Sequence, residues 1–213
     1  MSNGPEPGPA ARVPLEFHFD YICPFCYAAS HRLEGIAARH PLAVTYRFLE
    51  IHPDTPAEGR PLSELGYPPE QWERIVASSE AMIRQLDLPY RPRTFTTNSR
   101  RALLLGRTVF RRSPGRFPPL HRALLHAYFA EGRNIGDPEV LSEIAACEQV
   151  TDLLPAAWEE RTALEGLLED TEAAREAGVT GVPALRIGGR TFPGADALDI
   201  LEQALRRQDE AER

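Results

Sequence analysis

Strand periodicity is confined to the two ends of this chain. Near the start, Leu15, Phe17 and Phe19 alternate with Glu16, His18 and Asp20. Further on, Leu42, Val44, Tyr46 and Phe48 alternate with Ala43, Thr45 and Arg47. A period of two marks β-strands. The next strand signal is Pro183-Ala184-Leu185-Arg186-Ile187, then Gly188-Gly189, then Arg190-Thr191-Phe192, a hairpin with a two-residue turn. Helical spacing fills the chain between Phe48 and Pro183. Two strands at one end and a hairpin at the other are each too small to stand alone. The sequence-distant ends must meet in one small mixed sheet, interrupted by a long all-helical insertion. The expected class is α/β, with a sheet-bearing unit from 14–60 and 178–213 and an inserted helical unit from 61–177.

Within this frame, Pro24 suits the first turn of a helix that runs to about Arg39 and ends at His40-Pro41. With its flanking strands that helix forms a parallel βαβ unit. In the insertion, Trp72, Ile75, Val76, Ile83 and Leu86 mark one amphipathic helix. Leu103, Leu104 and Phe110 mark another, and Leu120, Leu124 and Tyr128 a third. Asp137-Pro138 is an N-cap with a first-turn proline. Helical spacing through Trp158, Leu164, Leu167 and Leu168 stops at Gly178 and fits one helix or two. A last helix carries Leu198, Leu201 and Leu205.

The chemistry sits where the first strand hands over to the first helix, at Cys23-Pro24-Phe25-Cys26. At the helix start, unpaired backbone N–H groups and the positive end of the dipole favour a thiolate at Cys23. Cys26 lies one turn further in, within disulfide reach and less exposed. Cys23 is therefore the expected nucleophile and Cys26 the resolving thiol. Phe25 offers that thiolate neither charge nor a hydrogen bond, which points to a less oxidising couple than a His there would give. A zinc site would need further ligands at ligand spacing, and the third cysteine, Cys147, does not supply them. Cys147 is expected as a small buried apolar residue of its helix. His18 and His31 are expected to be structural.

Asp20, three residues before Cys23, has two readings of equal weight. It could shuttle the proton of the inner thiol, or it could cap the helix or bond loop amides. Gly181-Val182-Pro183 opens a strand, so Val182-Pro183 is a candidate cis bond. With the backbone turned there, Val182 could offer its N–H and C=O to an extended peptide or to glutathione. Val182, Pro183, Pro24 and Phe25 are the candidate substrate-binding residues, and Cys23, Cys26 and Asp20 the candidate catalytic ones. No metal is expected, and the only cofactor is the redox-active disulfide, with glutathione as a candidate co-substrate.

A net charge of −7 argues against general nucleic-acid binding, and no stretch is apolar enough to span a bilayer. The cations are all Arg. The stretch 88–130 contains no acid and nine of them, including Arg91, Arg93, Arg100, Arg107 and Arg122. A solvated face paired with acids elsewhere is the preferred explanation, and attraction of an anionic substrate such as glutathione is the other. Residues 1–13 are expected to be a disordered arm without a secretory signal, so the expected compartment is the cytoplasm. The expected partner is a disulfide-containing protein or a low-molecular-weight thiol, bound by a monomer or homodimer.

These residues resemble those of the DsbA family of thioredoxin-fold proteins, in its cytoplasmic FrnE-like branch. The resemblance is carried by Phe19-Asp20-Tyr21-Ile22-Cys23-Pro24-Phe25-Cys26-Tyr27, by Phe48-Leu49-Glu50-Ile51-His52-Pro53-Asp54 and by Asn98-Ser99. It extends through Tyr128-Phe129-Ala130-Glu131-Gly132, Asp137-Pro138-Glu139-Val140-Leu141, Gly181-Val182-Pro183 and Pro193-Gly194-Ala195. It implies a thioredoxin-like fold, a nucleophilic Cys23, a resolving Cys26 and a cis Val182–Pro183 bond. Where this branch more often has Trp, the chain has Phe25. Where the branch has an aromatic after the proline, the chain has Ala184. The implied activity is thiol:disulfide exchange of reductase or isomerase type. The alternatives are a glutathione-dependent isomerase or transferase of the 2-hydroxychromene-2-carboxylate isomerase or kappa type, and a non-catalytic binding module.

Overall fold

The structure, a computed structural model, describes residues 12–211. The expected disordered arm falls almost wholly outside that range, and its last residue, Val13, opens the first strand. In chain order the elements are β1 (Val13–Phe19), α1 (Pro24–Ala37), β2 (Leu42–Phe48), β3 (Arg60–Pro61), α2 (Pro69–Gln85), β4 (Phe95–Thr96) and α3 (Arg100–Arg112). They continue with α4 (Phe117–Phe129), α5 (Pro138–Cys147), α6 (Leu154–Trp158), α7 (Arg161–Glu176), β5 (Ala184–Ile187), β6 (Arg190–Pro193) and α8 (Ala197–Ala211).

The ends of the chain do meet. The main sheet has the order β2-β1-β5-β6, with β1 parallel to β2 and antiparallel to β5. Phe17 pairs with Tyr46 on one side and Leu185 on the other, so residues about 140 positions apart share a rung. Gly188 and Gly189 turn β5 into β6 with φ of 55° and 80°, a left-handed pair that glycine adopts without penalty. The insertion is helical apart from the two-residue ladder of β3 with β4. Glu160, with ψ of 123°, breaks the stretch before Gly178 into α6 and α7.

Alternation in β1 gives its two faces different jobs. Phe17 and Phe19, fully buried, face an aromatic cluster in which Phe19 lies 5.0 Å from Phe48, 5.1 Å from Tyr21 and 4.9 Å from His121 between ring centres. Burying such side chains is the main favourable contribution to the fold, at roughly 1.5–3 kcal/mol each. His121, at the heart of the cluster, bonds Tyr21 Oη and Ser30 Oγ through its two ring nitrogens, and burial depresses its pKa to about 3. Helix α3 comes close to this cluster at Gly106, where a Cβ would run into the Tyr21 hydroxyl and the Phe48 ring. On the other face, Glu16 accepts from Arg47 and Arg186, and Asp170 of α7 accepts from Arg47 and Arg107. His18 is buried on this face with no hydrogen bond to either ring nitrogen, and its Nε2 lies 4.0 Å from Glu16 Oε2. The buried residues of sheet and insertion form one continuous core.

Candidate functional site

The site is built on the turn between β1 and α1. Cys23 is the N-cap of α1, with φ −85° and ψ 117°, and Pro24 occupies the first turn, where its missing N–H costs nothing. The Cys23 carbonyl starts the helix by accepting from Cys26 at 3.0 Å and Tyr27 at 3.2 Å. No disulfide joins Cys23 to Cys26 in this structure. Cys26 is fully enclosed, while Cys23 retains a sliver of exposure, 5%. Burial pushes the Cys26 thiol well above the ordinary range, and its contact with Cys23 pushes it further.

The opposite wall comes from the other end of the sequence. The Val182–Pro183 peptide bond is cis. The Cys23 thiol donates to the Val182 carbonyl at 3.5 Å, across a separation of 159 residues. Pro183 leads directly into β5, which is paired to β1, so the same sheet that positions Cys23 positions this wall.

Asp20 sits beneath the pair, completely buried. Its two oxygens take different loop amides: Oδ1 accepts from Ile22 at 3.3 Å and Oδ2 from Ile51 at 2.9 Å. Of the expected roles, bonding loop amides is therefore present, whereas the helix cap is not: α1 has Cys23 as its N-cap and no side-chain cap bond. Burial raises the Asp20 pKa from an ordinary 3.8 to about 7, against the pull of the Ile51 amide, the Ser99 hydroxyl and the Ile22 amide. The carboxyl lies close enough for its charge to act on Cys26.

A cavity of about 500 Å3 opens beside Cys23. Pro24, Phe25 and Val182 line it as expected. The remainder of its lining was not legible as a site in the sequence. His52, Tyr67 and Trp72 form an aromatic wall in which Tyr67 stacks on Trp72 at 5.8 Å, and among the described residues Arg93 adds the only formal charge of the lining. Trp72 signalled a helix, and Arg93 was one arginine of many.

Other expectations meet mixed outcomes. Five of the nine arginines from 88–130 pair with acids elsewhere in the fold: exposed Arg100 with Glu50 and half-buried Arg107 with Asp170, for example. Cys147 is exposed, not buried. Leu141, Ile144 and Ala145 carry the buried stripe of α5, and Cys147 falls beyond its edge in the last turn. His31 is exposed on α1.

With this geometry in place, comparisons with known proteins agree with it. A family model described as a DSBA-like thioredoxin domain matches residues 14–206. The Bacillus subtilis (strain 168) protein YwbO is 25% identical over 201 residues, covering 91% of this chain and 96% of its own. A probable DsbA oxidoreductase from Streptomyces coelicolor superposes with a TM-score of 0.78 at 25% identity, over 95% of this chain and 92% of that one. A 2-hydroxychromene-2-carboxylate isomerase shares the fold with a TM-score of 0.76 at 20% identity, over 94% and 98%. A cytosolic disulfide reductase, DsbM from Pseudomonas aeruginosa with GSH, does so at 0.65 and 17%, over 91% and 100%. The chain belongs to the DSBA-like thioredoxin domain family.

Proposed function

We propose that this protein is a thiol:disulfide oxidoreductase of reductase or isomerase type, acting through Cys23 and Cys26. One observation carries the proposal. A thiol at a helix N-cap faces the Val182 carbonyl, at the mouth of a cavity, with a second thiol enclosed one turn behind it. The first-turn N–H groups of α1 favour negative charge on the Cys23 sulfur. As thiolate, Cys23 attacks one sulfur of a bound disulfide; the substrate S–S bond breaks and one substrate thiolate leaves. The Val182 backbone, in this scheme, aligns the substrate across the Cys23 sulfur. Cys26 then loses its proton to Asp20 and attacks the Cys23 sulfur. A second substrate thiol leaves, the Cys23–Cys26 disulfide closes, and two electrons have passed to the substrate. A low-molecular-weight thiol, two equivalents per turnover, returns the pair to the dithiol.

Asp20 suits its task for a physical reason. A base working near neutral pH is best matched when its own pKa lies there, and burial puts this carboxyl at about 7. The expected compartment, a reducing cytoplasm, favours net reduction or isomerisation over oxidation. The cavity also supports a second reading, a glutathione-dependent isomerase or transferase, because its size fits a small molecule. That activity would not need Cys26.

Cys26→Ser separates these cases. The proposal predicts that the variant accumulates a stable mixed disulfide on Cys23 when offered glutathione disulfide, seen as one added glutathione by intact-mass measurement, and loses turnover. Isomerase activity that survives in the variant would favour the second activity. Inert thiols in the wild-type protein would leave only a binding module.

A further inference from the structure

The arginines of the acid-free stretch divide by what they touch. Arg100, Arg107, Arg112, Arg116 and Arg122 pair with Glu50, Asp170, Glu160, Asp152 and Glu34. Arg91 donates to the Glu131 carbonyl, and Arg101 and Arg111 are exposed. Arg93 is different. It is half-buried, lines the cavity that holds Cys23, and makes no ion pair among the described residues. Glu80, in the adjoining groove, does not pair with it, and no residue lining the Cys23 cavity is acidic.

Its placement is nonetheless well defined. The guanidinium lies over the Tyr128 and Phe129 rings, 4.3 and 4.5 Å from their centres. Phe129 in turn stacks on Tyr27, the residue after Cys26, at 4.9 Å. Aromatic faces hold a guanidinium by its plane, and the Tyr90 and Tyr128 hydroxyls lie within reach of its in-plane donors as neutral partners only. The Nε of Arg93 is buried without an acceptor. A second half-buried arginine, Arg60, also has its Nε buried without an acceptor, and its charge acts on His52 of the same cavity. A cation set in mostly apolar surroundings without a counter-charge is costly, and an anionic ligand would relieve that cost.

We infer that Arg93 is the specificity-determining residue of this cavity, binding a carboxylate of a small disulfide while Cys23 engages its sulfur. The inference rests on the exchange chemistry proposed for Cys23 and names the substrate class for it: low-molecular-weight disulfides bearing a carboxylate. A cavity of about 500 Å3 is of small-molecule size, which favours such a ligand over a polypeptide.

The test compares Arg93→Met with wild type, both as full chains and with a dithiol as the reductant, on glutathione disulfide, on neutral hydroxyethyl disulfide and on a disulfide-bonded polypeptide. Charge-assisted bonds of this kind predict a loss of about 10- to 100-fold in kcat/KM on glutathione disulfide, and a change within about twofold on the other two. Arg93→Lys, which keeps the charge but not the fork, should fall between. Calorimetric binding of S-methylglutathione supplies a readout without turnover, and its Kd should rise about tenfold or more in Arg93→Met. Unfolding curves of both variants show whether the fold is kept. Equal losses on all three disulfides, no loss on any, or unchanged S-methylglutathione binding would overturn the assignment. If wild type reduces none of the disulfides while binding still depends on Arg93, the exchange chemistry falls and the role of Arg93 stands.

Discussion

Asp20→Asn probes the buried carboxyl through stability and through rate. Folded, Asp20 has a pKa of about 7 against an ordinary 3.8, so between those values the folded protein holds a proton that the unfolded chain has released. The contribution of Asp20 to stability must then fall as pH rises through that window. The difference, 7 − 3.8, is about 3 units, and at about 1.36 kcal/mol per unit the charged carboxyl costs about 4 kcal/mol above pH 7. Asparagine carries no charge but has a single acceptor oxygen, whereas the two Asp20 oxygens take separate amides, from Ile22 and Ile51. Leaving one of those amides without an acceptor costs about 1–3 kcal/mol. The variant should therefore be more stable than wild type by about 1–3 kcal/mol at pH 8, and less stable by about 1–2 kcal/mol at pH 4, where the folded carboxyl is protonated and the charge penalty has largely gone. Urea unfolding between pH 4 and 8 measures this crossing. On the kinetic side, Cys26 is pushed well above the ordinary thiol range and needs a base. Removing that base should slow resolution of the Cys23 mixed disulfide about 100-fold, read by rapid-mixing release of the substrate thiol. An exchange rate equal to wild type would refute proton transfer through Asp20. His121 shifts both proteins alike, so the wild-type-minus-variant difference isolates Asp20; a difference that stays constant between pH 4 and 8 would refute the carboxyl as the source of the crossing.

Two further outcomes follow from the same physics. His121 titrates at about 3 when folded and near 6.5 when unfolded, so stability is lost as pH falls below 6.5, by about 3 kcal/mol between pH 7 and 4; His121→Gln should flatten that acid limb in urea unfolding. Phe25→His places a donor beside the Cys23 sulfur and stabilises the reduced pair, so the potential should rise by about 30 mV or more, a tenfold change in the exchange constant, measured against a glutathione redox buffer.

Local patterns carried the parts of the fold that have a period or a turn residue. Alternation located β1 and β2, Asp137-Pro138 located the start of α5 with its cap bond to Glu139, and Gly188-Gly189 located the hairpin. The β3–β4 ladder was not legible because two residues per strand have no period. The break between α6 and α7 turns on Glu160 alone, and no proline or glycine marks it. At the site, Cys23, Cys26 and the Val182–Pro183 wall were visible because each carries a local signature. Arg93 was not, because what distinguishes it from Arg100 or Arg107 is the absence of an acid, and only the packing of α2, α3 and α4 decides which arginine is left without one. Cys147 was misplaced for a similar reason: one position on a short helix decides between stripe and edge.

The central claim is that Cys23 and Cys26 form a reversible two-electron couple. A redox titration of the wild-type protein, with thiol alkylation and mass spectrometry at each poise, tests it most directly. The account predicts a single two-electron transition in which both thiols lose alkylation together, a Cys23–Cys26 bond identified by peptide mapping, and no transition in Cys23→Ser. Persistence of both free thiols across the whole range of oxidising poise, or a disulfide that reductant cannot reverse, would contradict it.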